Sequence, residues 1–252
     1  MPLSIDVWHQ RFLEQARWTA DLRADLFAKA GISGAKRILE VGCGTGAVLS
    51  TLAPQCAAWR IGLDIDLERL TFAQSIANGD AFLAGDANAL PFPPQCLDIV
   101  FSHFLFLWLK QPRSALAEMR RVVRRHGAVI SLAEPDYDAR IDFPAALAEA
   151  GRRQRDALIF QGADPAMGRK MAALMAESGL RVAESGILGG RWEFPLDRKS
   201  RSGEWDMLRS DVGKGFSDSQ WGKLLQADQA AWATGARVLF IPTFYCLAFR
   251  EE

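Results

Sequence analysis

The chain has 252 residues, of which 49% are apolar and 24% are charged. These values are typical of an ordinary globular domain, and they exclude collagen, coiled coils, disordered chains and small disulfide-stapled folds. Because 30 Lys and Arg residues balance 30 Asp and Glu residues, the chain has no overall positive field that would attract nucleic acid or an anionic membrane. We therefore expect no nucleic-acid partner.

The first half of the chain alternates short apolar segments with amphipathic ones. One N-terminal helix is predicted over residues 8–30, which end at Gly31, a common signal for a helix C-terminus. Asp66 is placed to cap a later helix, and His126 and Gly127 mark the turn before the last strand of this half. The pattern predicts strands at 37–41, 60–64, 81–84, 97–101 and 128–133, with helices at 48–53, where Pro54 ends the segment, 66–77 and 112–124. Such alternation predicts a parallel sheet that is covered by helices on both faces.

The second half has a different character. Helices are predicted at 141–161 and 168–178, an outer strand at 180–188, and a last antiparallel strand at 243–250. The segment 197–235 is polar and contains several tryptophans, which is compatible with a cap over the sheet. We therefore expect a single domain, with a core at 36–133, 168–194 and 243–250, and a possible cap formed by the helix 8–30 and the insertions 134–167 and 195–240.

Metal-binding and membrane-spanning signals are weak. The four cysteines lie far apart, without a C-x-x-C pair and without a histidine at ligand spacing, so no metal site is expected. The most apolar window, residues 99–109, is 11 residues long and is interrupted by Ser102 and His103, so it is too short to cross a bilayer. Asp6 interrupts the segment where a signal peptide would be apolar, and a cytoplasmic protein is expected.

The ends of the first three predicted strands carry groups suited to an adenosine ligand. Gly42, Gly44 and Gly46 form a turn without side chains, through which a ligand can approach backbone N–H groups at a helix N-terminus. Asp64 follows the second strand, within reach of a ribose diol, and Asp86 follows the third, where it offers an acceptor for an exocyclic amine. The apolar residues beside these two carboxylates, Ile65 and Ala87, are placed to pack on a flat ring.

Two adenosine cofactors remain possible on these residues. Gly42 to Ala47 can be written as G-x-G-x-x-A, which together with Asp64 resembles the fingerprint of an NAD-dependent oxidoreductase. Glu40 argues against a dinucleotide, because its carboxylate would repel a pyrophosphate, whereas it suits a ligand that bears an ammonium group. A cofactor with an amino acid tail fits this set better than NAD does.

Five motifs resemble the class I S-adenosylmethionine-dependent methyltransferases, especially the small-molecule branch related to ubiquinone and menaquinone methyltransferases. The motifs are LEVGCGTG (39–46), GLDID (62–66), GDANALPFP (85–93), LDIVFSHF (97–104) and AEMRRVVRRHGAVISLAEP (117–135). The resemblance implies a Rossmann-like, doubly wound α/β fold with a seven-stranded, mostly parallel sheet, an antiparallel final hairpin and a helical cap. It assigns cofactor binding to Glu40, Gly42, Cys43, Gly44, Gly46, Asp64, Ile65, Asp86, Ala87 and Ser102.

The resemblance also implies a reaction, in which a methyl group passes from S-adenosylmethionine to a small-molecule metabolite by in-line displacement and S-adenosylhomocysteine is the product. A general base assists when the acceptor is a hydroxyl or an acidic carbon. His103, just beyond the fourth strand, is the first candidate, and Glu134 and Tyr137, beyond the fifth strand, follow it. An NAD-dependent oxidoreductase and a cofactor-binding module without turnover remain as alternatives.

Overall fold

The computed structural model describes residues 4–55, 57–189 and 198–251. Its helices are α1 (Ile5–Trp18), α2 (Ala20–Lys29), α3 (Leu67–Ser75), α4 (Pro112–Val122), α5 (Ala148–Phe160), α6 (Met167–Glu177), α7 (Arg198–Val212) and α8 (Asp218–Ala233). Its strands are β1 (Arg37–Val41), β2 (Trp59–Asp64), β3 (Ala81–Ala84), β4 (Leu97–Ser102), β5 (Val123–Pro135), β6 (Ile141–Phe143), β7 (Arg181–Ile187), β8 (Val238–Phe240) and β9 (Thr243–Phe249).

Seven strands form one sheet in the order β3-β2-β1-β4-β5-β9-β7. The first five pair in parallel, and β9 lies antiparallel between β5 and β7. Apolar clusters cover both faces of the sheet: one includes residues of α4 and α6, and the other includes residues of α1 and α2. The Rossmann-like fold class with its antiparallel final hairpin is confirmed. The end of the predicted outer segment, residues 190–194, lies outside the described residues, as does Trp192.

The N-terminal segment is two helices, not the single helix predicted over residues 8–30. The helical path breaks at Thr19, whose φ and ψ are −95° and 4°. The buried guanidinium of Arg23 explains the break, because its Nη1 donates to the Ala16 carbonyl at 2.7 Å and to Thr19 Oγ1 at 3.0 Å. This side chain thereby satisfies a carbonyl of the last turn of α1 and caps that helix.

Three other boundaries differ from the sequence-based prediction. The segment after β1 is a 3₁₀ helix, Leu49–Gln55, which continues through Pro54. The fifth strand begins at Val123, directly after α4, because Val123 already pairs with Leu97, and the predicted turn at His126 and Gly127 becomes an irregularity inside this strand. The predicted helix 141–161 begins only at Ala148, because Ile141–Phe143 pairs with Val238–Phe240 as a separate two-stranded sheet.

A buried ionic cluster joins this small sheet to the helices around it. Asp142 accepts from Arg140 Nε at 2.6 Å and from Arg237 Nη2 at 2.9 Å, and the three side chains are 3 to 9% exposed. Arg237 also pairs with Asp228 of α8 at 2.8 Å. In the part of the chain that the structure describes, no helix has the length and apolar composition needed to cross a bilayer.

We predict that Asp142→Ala destabilises the protein by about 3 to 5 kcal/mol, because it leaves two buried guanidinium groups without their shared carboxylate. Urea unfolding followed by circular dichroism measures this free energy. The matched control is Asp25→Ala, which removes the exposed ion pair with Lys29 and should change the free energy of unfolding by at most about 0.5 kcal/mol. Equal effects of the two variants would contradict the role given to the cluster.

Candidate functional site

A cavity of about 820 Å³ opens at the carboxyl ends of β1 to β4. Parallel sheets bind ligands at this edge, because the loops that follow the strands converge there. The loops after β1, β2, β3 and β4 all reach the cavity, and α1, α5 and α7 contribute further walls. Ten of the thirteen predicted site residues line it: Glu40, Gly42, Cys43, Gly44, Asp64, Ile65, Asp86, Ala87, His103 and Tyr137.

The glycine turn after β1 presents backbone to the cavity. Gly42 and Gly44 have φ values of 74° and 52°, in the left-handed region that side chains other than glycine rarely adopt. The N–H groups of Gly42 and Cys43 both donate to the Leu63 carbonyl of β2, at 2.7 and 3.0 Å. A Cβ added at Gly44 would lie 3.5 Å from the ring of Phe12 in α1, so a larger side chain would enter the space between the turn and this helix.

Asp64, the last residue of β2, is held by two backbone donors. Its Oδ2 accepts from Gly44 N at 2.7 Å, and its Oδ1 accepts from Asp66 N at 2.9 Å. The residue is 8% exposed and lines the cavity. One carboxylate therefore joins the glycine turn to the loop after β2 and still presents an anionic surface to a ligand.

Glu40 has a buried oxygen without a partner. The residue is 1% exposed, and among the described residues no donor is bonded to its Oε2. Burial raises the pKa of this carboxyl well above its usual range, while the Leu49 backbone N–H and the charge of Arg23 lower it. A buried carboxylate oxygen without a donor gains from a cationic or hydrogen-bonding ligand group in the cavity.

The loops after β2 and β3 form the opposite wall. Asp86 is held by Asn88, whose backbone N–H and side-chain Nδ2 donate to Oδ1 at 2.8 and 2.9 Å. Ile65 is 75% exposed and Ala87 is 8% exposed, and both line the cavity. An exposed isoleucine beside a fixed carboxylate can pack on a flat ring while the carboxylate binds the edge of that ring.

His103 lines the cavity but is a weak base. Its Nε2 lies 3.4 Å from Thr19 Oγ1, and its ring packs edge-on against Phe104 with centroids 4.7 Å apart. Burial, with a smaller contribution from the charge of Arg23, lowers the pKa of His103 to about 3. The imidazole is therefore neutral at pH 7. Its predicted role as a general base stays a prediction, and the low pKa makes it an inefficient one.

Glu134 lies behind the cavity wall. Its Oε1 accepts from the N–H groups of Leu105 and Phe106, both at 2.9 Å, and its Oε2 accepts from Leu107 N at 3.3 Å. The residue is fully buried, and burial raises the pKa of Glu134 to about 7 against the effect of these donors. This geometry favours a positioning role, because the three bonds organise the loop after β4.

Two residues that were predicted to bind the cofactor, Ser102 and Gly46, do not line the cavity. Ser102 is fully buried in β4, and its hydroxyl has no partner in the described part of the chain. Gly46 lies behind the turn, where an added Cβ would be 2.7 Å from the Phe82 ring. The geometry gives both residues a place in packing below the site, and their predicted contact with a cofactor stays a prediction.

Sequence reasoning missed the walls that come from outside the strand ends. These residues lie in α1 and α3, in the segment after β4, in or just after α5, and in α7: Trp8, Arg69, Trp108, Lys110, Gln111, Leu158, Gln161, Met207, Ser210 and Asp211. Phe12 and Gln15 of α1, for which the helical pattern left contact with a ligand open, also line the cavity. The helical spacing of apolar residues in α1 was a usable signal, although it does not separate core from cavity. The α7 residues carry no local motif, because only the tertiary fold brings them to the site.

Comparison with known proteins identifies the central part of the chain. Residues 39–131 match the family model described as a methyltransferase domain. The chain is 31% identical over 122 residues to a malonyl-[acyl-carrier protein] O-methyltransferase of Pectobacterium atrosepticum, an alignment covering 48% of this chain and 46% of that protein. It is 35% identical over 141 residues to a fatty-acid O-methyltransferase of Mycolicibacterium smegmatis, covering 54% and 51%. The chain thus spans about half the length of these curated relatives.

A solved structure extends the likeness to most of the fold. Phosphoethanolamine N-methyltransferase 2 of Haemonchus contortus, in complex with S-adenosyl-L-methionine, superposes with a TM-score of 0.57 at 14% identity. The match covers 92% of this chain and 53% of that chain. At this identity the likeness concerns the fold alone, and it agrees with the seven-stranded sheet described above.

We predict that His103→Asn reduces the loss of stability in acid. The wild-type imidazole stays neutral in the fold down to a pKa of about 3, whereas in the unfolded chain it takes up a proton below about pH 6.5. The imidazole of His103 therefore leaves the free energy of unfolding unchanged above about pH 6.5 and lowers it progressively as the pH falls below that value. Between pH 8 and pH 5 the wild type should lose roughly 2 kcal/mol more than the variant, measured by urea unfolding at each pH.

The difference between the two proteins isolates His103, because other titrating groups are common to both. The control is His126→Asn, at an exposed position with φ of 60° that asparagine tolerates. This control should follow the wild-type pH dependence. If the free energy of unfolding changed with pH in the same way in the wild type and in His103→Asn, the imidazole would take up a proton equally well in the folded and unfolded protein. The prediction would then be wrong.

Proposed function

We propose that this chain is a class I methyltransferase that transfers a methyl group from S-adenosylmethionine to a small-molecule acceptor and releases S-adenosylhomocysteine. One observation carries the proposal. A single cavity brings together the glycine turn after β1, Asp64 at the end of β2 and Asp86 after β3. These three features offer partners for an amino acid tail, a ribose and an adenine in the order in which they are joined in that cofactor.

The residues present fit such a cofactor. The unpartnered Oε2 of Glu40 suits the ammonium group of a methionine tail, and the absence of a side chain at Gly44 leaves room for that tail between the turn and Phe12. Asp64 keeps an anionic edge towards the cavity for the ribose hydroxyls, and Ile65 and Asp86 face the adenine position. A pyrophosphate in place of the methionine tail would meet the buried carboxyl of Glu40, which disfavours NAD.

The chemistry then depends on alignment more than on a strong base. The sulfonium of the bound cofactor supplies an activated methyl group. The task of this chain is to bind the acceptor in line and to exclude water, which can contribute up to roughly 7 to 11 kcal/mol of the barrier reduction. His103 and Tyr137 line the cavity as neutral groups that can contact the acceptor, and Glu134 positions Leu105 to Leu107 of its wall.

We predict that the purified protein binds S-adenosylhomocysteine in the micromolar range and binds NAD at least 100-fold more weakly, a difference of about 2.7 kcal/mol. Isothermal titration calorimetry with both ligands measures the two affinities. Tighter binding of NAD would favour the oxidoreductase. The protein could also bind S-adenosylhomocysteine and yet transfer no label from labelled S-adenosylmethionine to any of the acceptors offered. That result would favour a cofactor-binding module without turnover.

We predict that Gly44→Val lowers the affinity for S-adenosylhomocysteine by at least tenfold, because valine occupies the space between the turn and Phe12 that the ligand needs. The matched control is Gly31→Val, at another glycine with φ of 77°, where an added Cβ meets nothing within 4 Å. Both glycines have a φ in the left-handed region, but only Gly44 lies at the cavity. Equal affinities in the two variants would show that the ligand does not bind at this turn.

A further inference from the structure

Part of the cavity lining comes from residues that the cofactor assignment does not use. The loop after β4, α5 and α7 contribute apolar side chains: Phe104, Leu107, Trp108, Leu158 and Met207. The same part of the lining includes the polar residues Lys110, Gln111, Tyr137, Gln161, Ser210 and Asp211. An apolar space with a few fixed polar groups is typical of a pocket for a small organic molecule.

A chain of hydrogen bonds fixes the carboxylate of Asp211. Gln154 Nε2 donates to Asp211 Oδ2 at 2.7 Å, and Arg140 Nη1 donates to Gln154 Oε1. Arg140 is itself held by Asp142 at 2.6 Å. Because Arg140 occupies the amide oxygen of Gln154, the amide nitrogen must point towards Asp211. The carboxylate is therefore held at one oxygen by a rigid, buried support.

The other oxygen of Asp211 is available to a ligand. Among the described residues no donor is bonded to Asp211 Oδ1, and no group is bonded to the Tyr137 hydroxyl. Burial, with a smaller contribution from the charge of Asp211, raises the pKa of Tyr137 above its usual value. The hydroxyl thus stays protonated at neutral pH and is a hydrogen-bond donor in the same cavity as the free oxygen of Asp211.

Burial raises the pKa of the Asp211 carboxyl, against the bond from Gln154 and the charges of Arg11 and Arg140, which lower it. A half-buried carboxylate with one free oxygen gains from a ligand that donates a hydrogen bond, and it repels a ligand carboxylate. An ammonium group could donate to Asp211 but has no lone pair with which to accept from Tyr137.

We propose that Asp211 and Tyr137 bind the hydroxyl group of a largely apolar acceptor, with the hydroxyl donating to Asp211 and accepting from Tyr137. A hydroxyl carries both a donor and an acceptor, so it can satisfy both groups while remaining uncharged. This inference rests on the proposed function and specifies its substrate class. It differs from the fatty acid named for the Mycolicibacterium smegmatis relative, since a fatty acid would bring a second carboxylate to Asp211.

The test uses three probes that share one apolar body: 4-propylphenol, 4-propylbenzoate and 4-propylbenzylamine. Each is titrated into the purified 252-residue chain saturated with S-adenosylhomocysteine. We expect the phenol to bind at least tenfold more tightly than the benzoate or the amine. In Asp211→Asn the phenol-to-benzoate preference should fall about tenfold, because the repulsion of the benzoate is gone. In Tyr137→Phe the affinity for the phenol should fall several-fold.

The control is Asp218→Asn, which removes the same charge from an exposed position at the start of α8 and should keep the wild-type preference. Benzoate or amine binding as tightly as the phenol, an unchanged preference in Asp211→Asn, or binding of none of the probes would each overturn the inference. Affinity for S-adenosylhomocysteine is measured in every variant and should not change. If the wild type does not bind S-adenosylhomocysteine, the proposed function itself is rejected. If it binds S-adenosylhomocysteine but lacks the expected probe preference, only the inference about the acceptor is rejected.

Discussion

The site depends on the carboxylate of Asp64, which ties two loops of the sheet together. It accepts from Gly44 N at 2.7 Å and from Asp66 N at 2.9 Å. The turn after β1 has a left-handed backbone at Gly44, so its N–H groups do not repeat a strand or helix pattern and need another acceptor. Asp64 supplies that acceptor from the neighbouring strand, and the shape of the turn therefore depends on the register between β1 and β2.

The central sheet could be predicted because its signals are local. The strands β1 to β4 are short apolar segments that lie within one residue of their predicted bounds, whereas β5 begins at Val123, before its predicted start at residue 128. The break at Thr19 could not be predicted, because it depends on Arg23 reaching the Ala16 carbonyl inside the protein. The strand Ile141–Phe143 was missed for a similar reason, since its partner Val238–Phe240 lies far away in the sequence.

The residues of the candidate site also differ in whether a local sequence signal predicts them. Residues at strand ends were predicted because a parallel sheet brings such ends to one edge, and Glu40, Asp64 and Asp86 do line one cavity. Asp211 was missed because it lies in α7, far from any strand end. Its position depends on Gln154 and on the ionic cluster behind it, which are contacts between separate elements. Sequence patterns therefore predict the strand-end part of the cavity lining better than the part that comes from α5 and α7.

The buried ionisable groups around the cavity indicate how such a site can act without a strong base. Glu134 binds three backbone N–H groups, and Asp64 binds two, so both carboxylates shape loops. His103 is buried beside the charge of Arg23, which favours its neutral form. Where the methyl group is already activated by its leaving group, rigid alignment of the acceptor can supply a large part of the barrier reduction. Burying these groups in fixed hydrogen bonds weakens them as bases, but it provides that rigidity.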